Sequence, residues 1–189
     1  DFYQTSDGGL SWTQIASNIF ATNLKALQII DDSTLYAAVT GRFYQSTDSG
    51  QTWTLQQPHP FGQSLNGFDV LPNGEIFITG ESNTVLFSDD EGQSWTDQIP
   101  AIKPDLFFIE FMNADTGIAA GAIQSVVKTV DGGQNWELLE LNEPGQFIRE
   151  GIMVDEMEYW VMTLNKVLRT TDGGQNWTTL FESSAKRHK

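Results

Sequence analysis

One eight-residue phrase recurs five times along the chain and dictates how the rest of it is parsed. It reads Thr5-Ser6-Asp7-Gly8-Gly9-Leu10-Ser11-Trp12, then Ser46-Thr47-Asp48-Ser49-Gly50-Gln51-Thr52-Trp53, and returns at 88–95, 129–136 and 170–177. The shared pattern is Ser/Thr-x-Asp-x-Gly-x-Ser/Thr/Asn-Trp, and its aspartates, Asp7, Asp48, Asp90, Asp131 and Asp172, follow one another at steps of 41, 42, 41 and 41. A fixed period of this size marks a repeat architecture, in which each unit buries its apolar surface against its neighbours.

Between these boxes the chain reads as strands. Short apolar and β-branched runs alternate with Gly, Asn, Asp and Pro, and no ten-residue stretch carries a helical period. The first complete unit holds strand A at 24–30, B at 35–39, C at 43–46 and D at 53–56. The next three units repeat the order at 65–70, 75–79, 85–88 and 95–99, at 106–112, 117–120, 126–129 and 136–141, and at 147–154, 159–163, 167–170 and 177–181. Each box is then a C–D turn. Four antiparallel strands in this length make a β-propeller blade, which hides both faces by stacking on the next blade. The predicted fold is all-β: a β-propeller of four-stranded antiparallel blades, four of them full, plus strands C and D of another, within residues 1–182. Residues 183–189 form a basic C-terminal tail predicted to be disordered. Strands A and B of the first unit are absent from the sequence. The expected architecture is therefore an arc of a larger ring, or a ring completed by blades of the same or another chain.

The five boxes in register resemble the Asp-box, or BNR, repeat. That group includes sialidases, xyloglucan-degrading glycosidases, sortilin-type receptor domains and photosystem II assembly factors, and the resemblance covers essentially the whole chain. It implies a propeller but no shared activity, because the box is a folding element. Physical chemistry gives the same role to Asp7, Asp48, Asp90, Asp131 and Asp172: a carboxylate in a tight turn accepts nearby backbone N–H groups. The box glycine supplies positive φ, and Trp12, Trp53, Trp95, Trp136 and Trp177 bring apolar area to the start of strand D. The Asp-x-Gly of the box, with Asp89 and Glu91 beside Asp90 in the third copy, also resembles part of a calcium loop, but the closing glutamate of such a loop is missing, so no metal is expected. Trp160, outside the boxes, is expected in the core.

Strand directions put the A–B turns and the boxes on one face of the ring and the D–A and B–C loops on the other. Resemblance to Asp-box enzymes implies binding on the face without boxes. Its D–A loops lie at 17–23, 57–64, 100–105 and 142–146, and its B–C loops at 40–42, 80–83, 121–124 and 165–166. The candidate binding residues there are His59, Phe61 and Gln63 in a proline-stiffened loop, with Glu81 and Asn165. Counting back from the box aspartates aligns two rows on the inner A strands. One is Lys25, Gly67, Phe108 and Arg149; the other is Leu27, Asp69, Glu110 and Gly151. Both rows are expected on one water-facing side, with Lys25 and Arg149 offsetting Asp69 and Glu110.

The formal charge is −15, from 10 basic and 25 acidic side chains. That surface repels phosphate backbones, so nucleic acid is not an expected partner. No run of 18 apolar residues exists, so no membrane insertion is expected. The absence of cysteine excludes disulfides and thiolate metal sites. No phosphate loop, nucleophile elbow or metalloprotease motif is present, so no cofactor is expected. The favoured function is a non-catalytic interaction module whose box-free face binds a protein or a glycan. The alternative is a glycoside hydrolase fragment with Asp69 and Glu110 as its carboxylate pair. Sialidases need an arginine cluster on inner strands, and only Arg42, Arg149, Arg169 and Arg187 are available. A photosystem II assembly factor-like scaffold is the second alternative, but those proteins resemble this one less in charge, since they use a basic arginine patch. Family analogy suggests a bacterial protein exported to the periplasm, cell surface or medium.

Overall fold

The computed structural model describes residues 2–15, 23–56, 64–82, 84–98, 105–141 and 147–183. Strands β1 (Phe2–Gln4) and β2 (Thr13–Ile15) pair as a hairpin around the first box, and we number this hairpin blade one. Blade two is β3 (Leu24–Ile29), β4 (Leu35–Val39), β5 (Arg42–Ser46) and β6 (Thr54–Gln56). Blade three is β7 (Leu65–Val70), β8 (Ile76–Gly80), β9 (Val85–Ser88) and β10 (Thr96–Asp97). Blade four is β11 (Leu106–Phe111), β12 (Gly117–Gly121), β13 (Ser125–Thr129) and β14 (Glu137–Glu140). Blade five is β15 (Glu150–Met153), β16 (Tyr159–Met162), β17 (Lys166–Thr170) and β18 (Thr178–Glu182). Each of blades two to five is a four-stranded antiparallel meander in chain order, and the fold is a β-propeller. Two details depart from expectation. Strand D of blade three is only Thr96–Asp97, and a 3-10 turn, Ala122–Gln124, occupies the B–C loop of blade four. The tail at 184–189 lies outside the described residues.

The box pattern is explained atom by atom. In the second box Ser46 Oγ donates to Asp48 Oδ1 at 2.8 Å and accepts Gly50 N–H at 2.9 Å. Asp48 Oδ1 accepts Thr52 N–H at 2.8 Å, and Asp48 Oδ2 accepts the Thr52 hydroxyl at 2.6 Å. Trp53 Nε1 closes the turn by donating to Gly50 O at 3.0 Å. The same bonds from Ser/Thr and Asp recur around Asp7, Asp90, Asp131 and Asp172. These bonds hold the carboxylates of Asp7, Asp48, Asp90, Asp131 and Asp172 below the ordinary aspartate range. The box glycine serves a second purpose at blade junctions. Gly174 has φ +93°, and a Cβ there would lie 2.5 Å from Leu139 Cδ1 on strand D of the preceding blade.

Successive blades stack face to face. Tyr36, Ala38 and Phe43 of blade two meet Phe68, Ile76 and Ile78 of blade three. Between blades three and four the Phe77 and Phe111 rings stack with centroids 3.7 Å apart. Between blades four and five Ile118, Ala120 and Val126 meet Met153, Tyr159 and Val161. The box tryptophan of each blade belongs to the junction with the blade before it: Trp95 lies edge-on to Phe43 at 5.8 Å, and Trp136 packs on the cluster that contains Phe77 and Val85 of blade three. Trp53, at the junction of blades one and two, is 5% exposed, whereas Trp12 is 60% exposed, with no earlier blade described against it. Trp160, expected in the core, is half-buried on the outer face of blade five. Arg169 covers its ring at 5.6 Å, and its Nε1 donates to Glu158 at 2.8 Å.

The same box residue therefore has unequal weight. Trp53→Ala should lower unfolding free energy by about 3–5 kcal/mol, as for a large buried aromatic. Trp12→Ala should change it by only ~0.5 kcal/mol, as at a surface position. Urea unfolding of the two variants followed by circular dichroism measures the difference.

Candidate functional site

Strand A of each blade, β3, β7, β11 and β15, lies against strand A of the next, so these four strands form the hub. The two faces are separated as expected. On one, the A–B turns touch the boxes, through Ser49 N–H to Ser33 O and Gly132 N–H to Asp115 O. On the other, the B–C turns touch the starts of the A strands, through Glu81 N–H to Ser64 O and Ile148 N–H to Gly121 O.

Asp69 and Glu110 sit half-buried on hub strands and border a solvent-open depression, but they are also tied into the scaffold. Each reaches the backbone of the next blade. Asp69 Oδ2 accepts Phe111 N–H at 2.7 Å, and Asp69 Oδ1 accepts the Gln28 amide at 3.1 Å. Glu110 Oε2 accepts Met153 N–H at 3.1 Å. Gln28 does the same work one blade earlier: its Oε1 accepts Val70 N–H at 2.9 Å and its Nε2 donates to Val70 O at 3.1 Å. Gln28, Asp69 and Glu110 thus form a repeated clasp between neighbouring A strands. Burial raises the pKa of Asp69 despite its hydrogen bonds. Burial, reinforced by the charges of Asp69 and Glu150, pushes the Glu110 carboxyl up to about 7 against the pull of the Met153 N–H.

The two expected rows are corrected by this register. Cross-strand pairing places Gln28, Asp69, Glu110 and Ile152 in one row, opposite Tyr36, Phe77, Ile118 and Trp160. Leu27 and Gly151 belong to the other face. The interval from hub to box aspartate is one residue shorter in blades two and five, and a slip of one residue turns a side chain to the opposite face of a strand. For the same reason Lys25 and Arg149 do not share a row with Gly67 and Phe108 and do not offset Asp69 and Glu110. Register shifts at 24/26, 65/67 and 106/108 bulge out Lys25, Asn66 and Phe107, and Arg149 has the corresponding place in blade five.

This bulged set is what the box-free face presents at the hub. The Arg149 guanidinium lies over the Phe107 ring at 5.7 Å, and Phe147 is 6.1 Å from Phe107. Asn66 is committed to the scaffold, donating to Leu106 O at 2.9 Å. Lys25 and Phe107 border a depression of ≈ 290 Å³ that also reaches Asp69 and Glu110. Beyond it, Ile123 holds φ +56° in the B–C turn of blade four with its side chain 77% exposed. A β-branched residue in left-handed backbone is strained by about 1–3 kcal/mol. Sequence reading missed Phe107, Phe147 and Ile123. A signal for Phe107 was present, since it stands 41 residues after Asn66 and 82 after Lys25.

The other expected residues are dispersed. Glu81 is exposed in the B–C turn of blade three, where its carbonyl accepts the Thr84 hydroxyl at 2.6 Å. Asn165 lies in the B–C turn of blade five, its carbonyl accepting Ser183 N–H at 2.7 Å. His59, Phe61 and Gln63 lie outside the described residues. Among the described residues no group of three or more His, Cys, Asp and Glu side chains is arranged to hold a metal ion, and no helix is long and apolar enough to cross a membrane.

The model of the DUF6242 beta propeller domain matches residues 1–110, and that of the photosynthesis system II assembly factor YCF48 matches residues 98–185. No curated protein matches the chain. Among solved structures, YCF48 bound to a D1 peptide is similar at TM-score 0.72 and 19% identity, over 94% of this chain and 59% of that one. YCF48 from Cyanidioschyzon merolae is similar at TM-score 0.72 and 13% identity, over 94% and 65%. An ancestral GH74 enzyme is similar at TM-score 0.76 and 16% identity, over 94% of this chain but 28% of the enzyme. At these identities the likeness is one of fold. The chain spans less than two thirds of each of these proteins.

The clasp makes two predictions. Asp69→Ala strips the acceptor from a buried N–H and should cost about 1–3 kcal/mol in urea unfolding. Glu110 follows the opposite pH rule to the boxes. Its folded value, about 7, lies above the ordinary 4.5, so its contribution to stability is full below pH 4.5 and is lost as pH rises through 7. Glu110→Gln keeps the acceptor and stays neutral. The variant should match the parent near pH ~4.5 and exceed it by about 1 kcal/mol near pH ~8, a figure discounted for the solvent that still reaches the carboxyl. Urea midpoints measured across this range test the sign.

Proposed function

For a chain that belongs to the DUF6242 beta propeller domain family, we propose a non-catalytic interaction module that binds a segment of another protein on its box-free face. The observation that carries this reading is the division of labour at the hub. The two carboxylates a glycosidase would need are bonded to the backbone of the next blade. The side chains left facing outward include the cations Lys25 and Arg149 and the aromatic rings of Phe107 and Phe147. A guanidinium over a ring suits a segment that brings an anionic group beside an apolar side chain. Ile123 adds an exposed apolar contact on the same face. The likeness to a YCF48 structure bound to a D1 peptide supports a peptide as ligand. The GH74 likeness rests on fold, and the occupied carboxylates weigh against hydrolysis by this chain. Export to the cell surface or medium is part of the same proposal and rests on analogy with Asp-box proteins.

A peptide array probed with the 189-residue chain tests the reading. Bound peptides should pair an acidic residue or free carboxylate with an aromatic or aliphatic neighbour. Arg149→Ala should weaken them about 10- to 100-fold, the range for a hydrogen bond to a charged group. Phe107→Ala should weaken them less, and Ile123→Gly should weaken them while raising thermal stability as the strained turn relaxes. Turnover of a fluorogenic glycoside panel, lost in Glu110→Gln, would overturn the proposal in favour of a hydrolase.

A further inference from the structure

The copies of the repeat act as controls for one another, and one junction departs from the rest. A groove of ≈ 690 Å³ runs along the box side of the rim between blades four and five. Both blades are complete four-stranded sheets. Two residues on its wall are apolar where their counterparts are polar. Val130 is the second residue of its box, a place held by Ser6, Thr47, Asp89 and Thr171 in the other copies. Met157 is the A–B turn residue whose carbonyl accepts Gly173 N–H of the box, as Ser33 does for Ser49 and Asp115 for Gly132. Val130 and Met157 are 66% and 49% exposed, so the packing of the blades does not account for them.

A third wall residue changes the hydrogen bonding. Leu139 stands three residues after its box tryptophan, where blades two and three carry Gln56 and Gln98. Gln98 Nε2 donates to Gly132 O of the next box at 3.1 Å. Gly173 is the corresponding residue one blade on. Leu139 has no donor, so Gly173 O, on the wall of the groove, lacks the partner that Gly132 O has.

The charge around the groove is one-sided. Glu137 and Glu140 are exposed along strand D, and the carboxylates of Asp131 and Asp172 also border it. The box hydrogen bonds keep those two aspartates ionised. Lys128 is the one cation on the wall among the described residues. Its Nζ is turned to Glu156 O at 3.2 Å and to the Tyr159 ring at 5.3 Å.

We propose that this groove docks a short basic and apolar segment of another protein. A large aliphatic or aromatic side chain covers Val130, Met157 and Leu139, flanking Lys or Arg residues meet Glu137 and Glu140, and an N–H is directed at Gly173 O. Charge complementarity selects that occupant, since four carboxylates repel an acidic segment. A second copy of this chain carries a formal charge of −15 and is disfavoured on the same ground. Buried apolar area supplies the affinity, and the carboxylates choose the partner. The groove is on the box side, away from the Arg149 surface, and does not rest on the function proposed above.

The probe is the peptide acetyl-Arg-Leu-Phe-Lys-amide, which has no carboxylate for Arg149 to bind. Titrated into the 189-residue chain and followed by calorimetry and amide NMR, it should saturate at 1:1. Shifts should be confined to residues 128–140 and 156–175. Val130→Thr combined with Met157→Ser restores residues that the repeat uses elsewhere at exposed positions. The double variant should keep its melting temperature and lose about 10-fold in affinity. Glu137→Lys should weaken binding to a similar extent, about 10-fold, and added salt should weaken it further. Arg149→Ala should leave it unchanged. The proposal is overturned by a folded chain that does not saturate at millimolar peptide, or by equal affinity for acetyl-Glu-Leu-Phe-Glu-amide. Affinity that survives the double variant and falls in Arg149→Ala would also overturn it, placing the peptide on the box-free face. Self-association in sedimentation equilibrium that the double variant abolishes would overturn it in favour of a second copy.

Discussion

A four-stranded sheet with apolar side chains on both faces has no stable existence in water by itself. Every blade here depends on being sandwiched, and the rest of the structure follows from that requirement. The B strands, buried on both sides, are built from Ala37 and Ala38, from Ile76, Phe77 and Ile78, and from Ile118, Ala119 and Ala120. Their burial comes from neighbours rather than from the blade's own residues. The box tryptophans lie at the same junctions, so a residue placed by a local turn completes a non-local contact. Where a neighbour is missing from one side, the identical residue changes character, as Trp12 does beside Trp53.

The hub shows how polar groups are used where apolar packing runs out. Adjacent A strands approach with backbone N–H groups turned toward one another's blades, and these donors need acceptors. A glutamine satisfies the need without charge and bonds both the N–H and the C=O of Val70. The carboxylates in the next two blades satisfy the N–H alone and carry the penalty of burial, visible in their raised pKa values. A perturbed carboxylate beside a depression is the usual pointer to chemistry. Here its partners identify a joint between blades, and the outward-facing Arg149 and Phe107 become the better guide to what the face contacts.

The period of the boxes was enough to place the blades, the C–D turns and the lone first hairpin, because those features depend on residues close together in sequence. It also drew attention to Asp69 and Glu110. Their role was not legible, since Phe111 and Met153 offer backbone atoms that no side-chain pattern marks. Counting from the box aspartates misplaced Lys25 and Arg149 by one position, because the hub-to-box interval is not constant. Comparing hub strands with one another would have aligned Gln28, Asp69 and Glu110 at steps of 41. The stacking of Arg149 on Phe107 depends on bulges at the starts of the A strands. A bulge leaves no compositional trace.

The leading Ser/Thr, the Asp and the Trp of the box close their side-chain hydrogen bonds within four residues, and the clasps join residues 41 to 43 apart. Among the hydrogen bonds described here, none reaches further along the chain than about one blade. Mean contact separation in such a molecule is set by the repeat and not by the number of repeats, and folding speed tracks contact separation. Blades can then form in succession from whichever box closes first, and duplicating or deleting one leaves the remaining interfaces as they were. The gene can lengthen or shorten one blade at a time without making the product slower to fold.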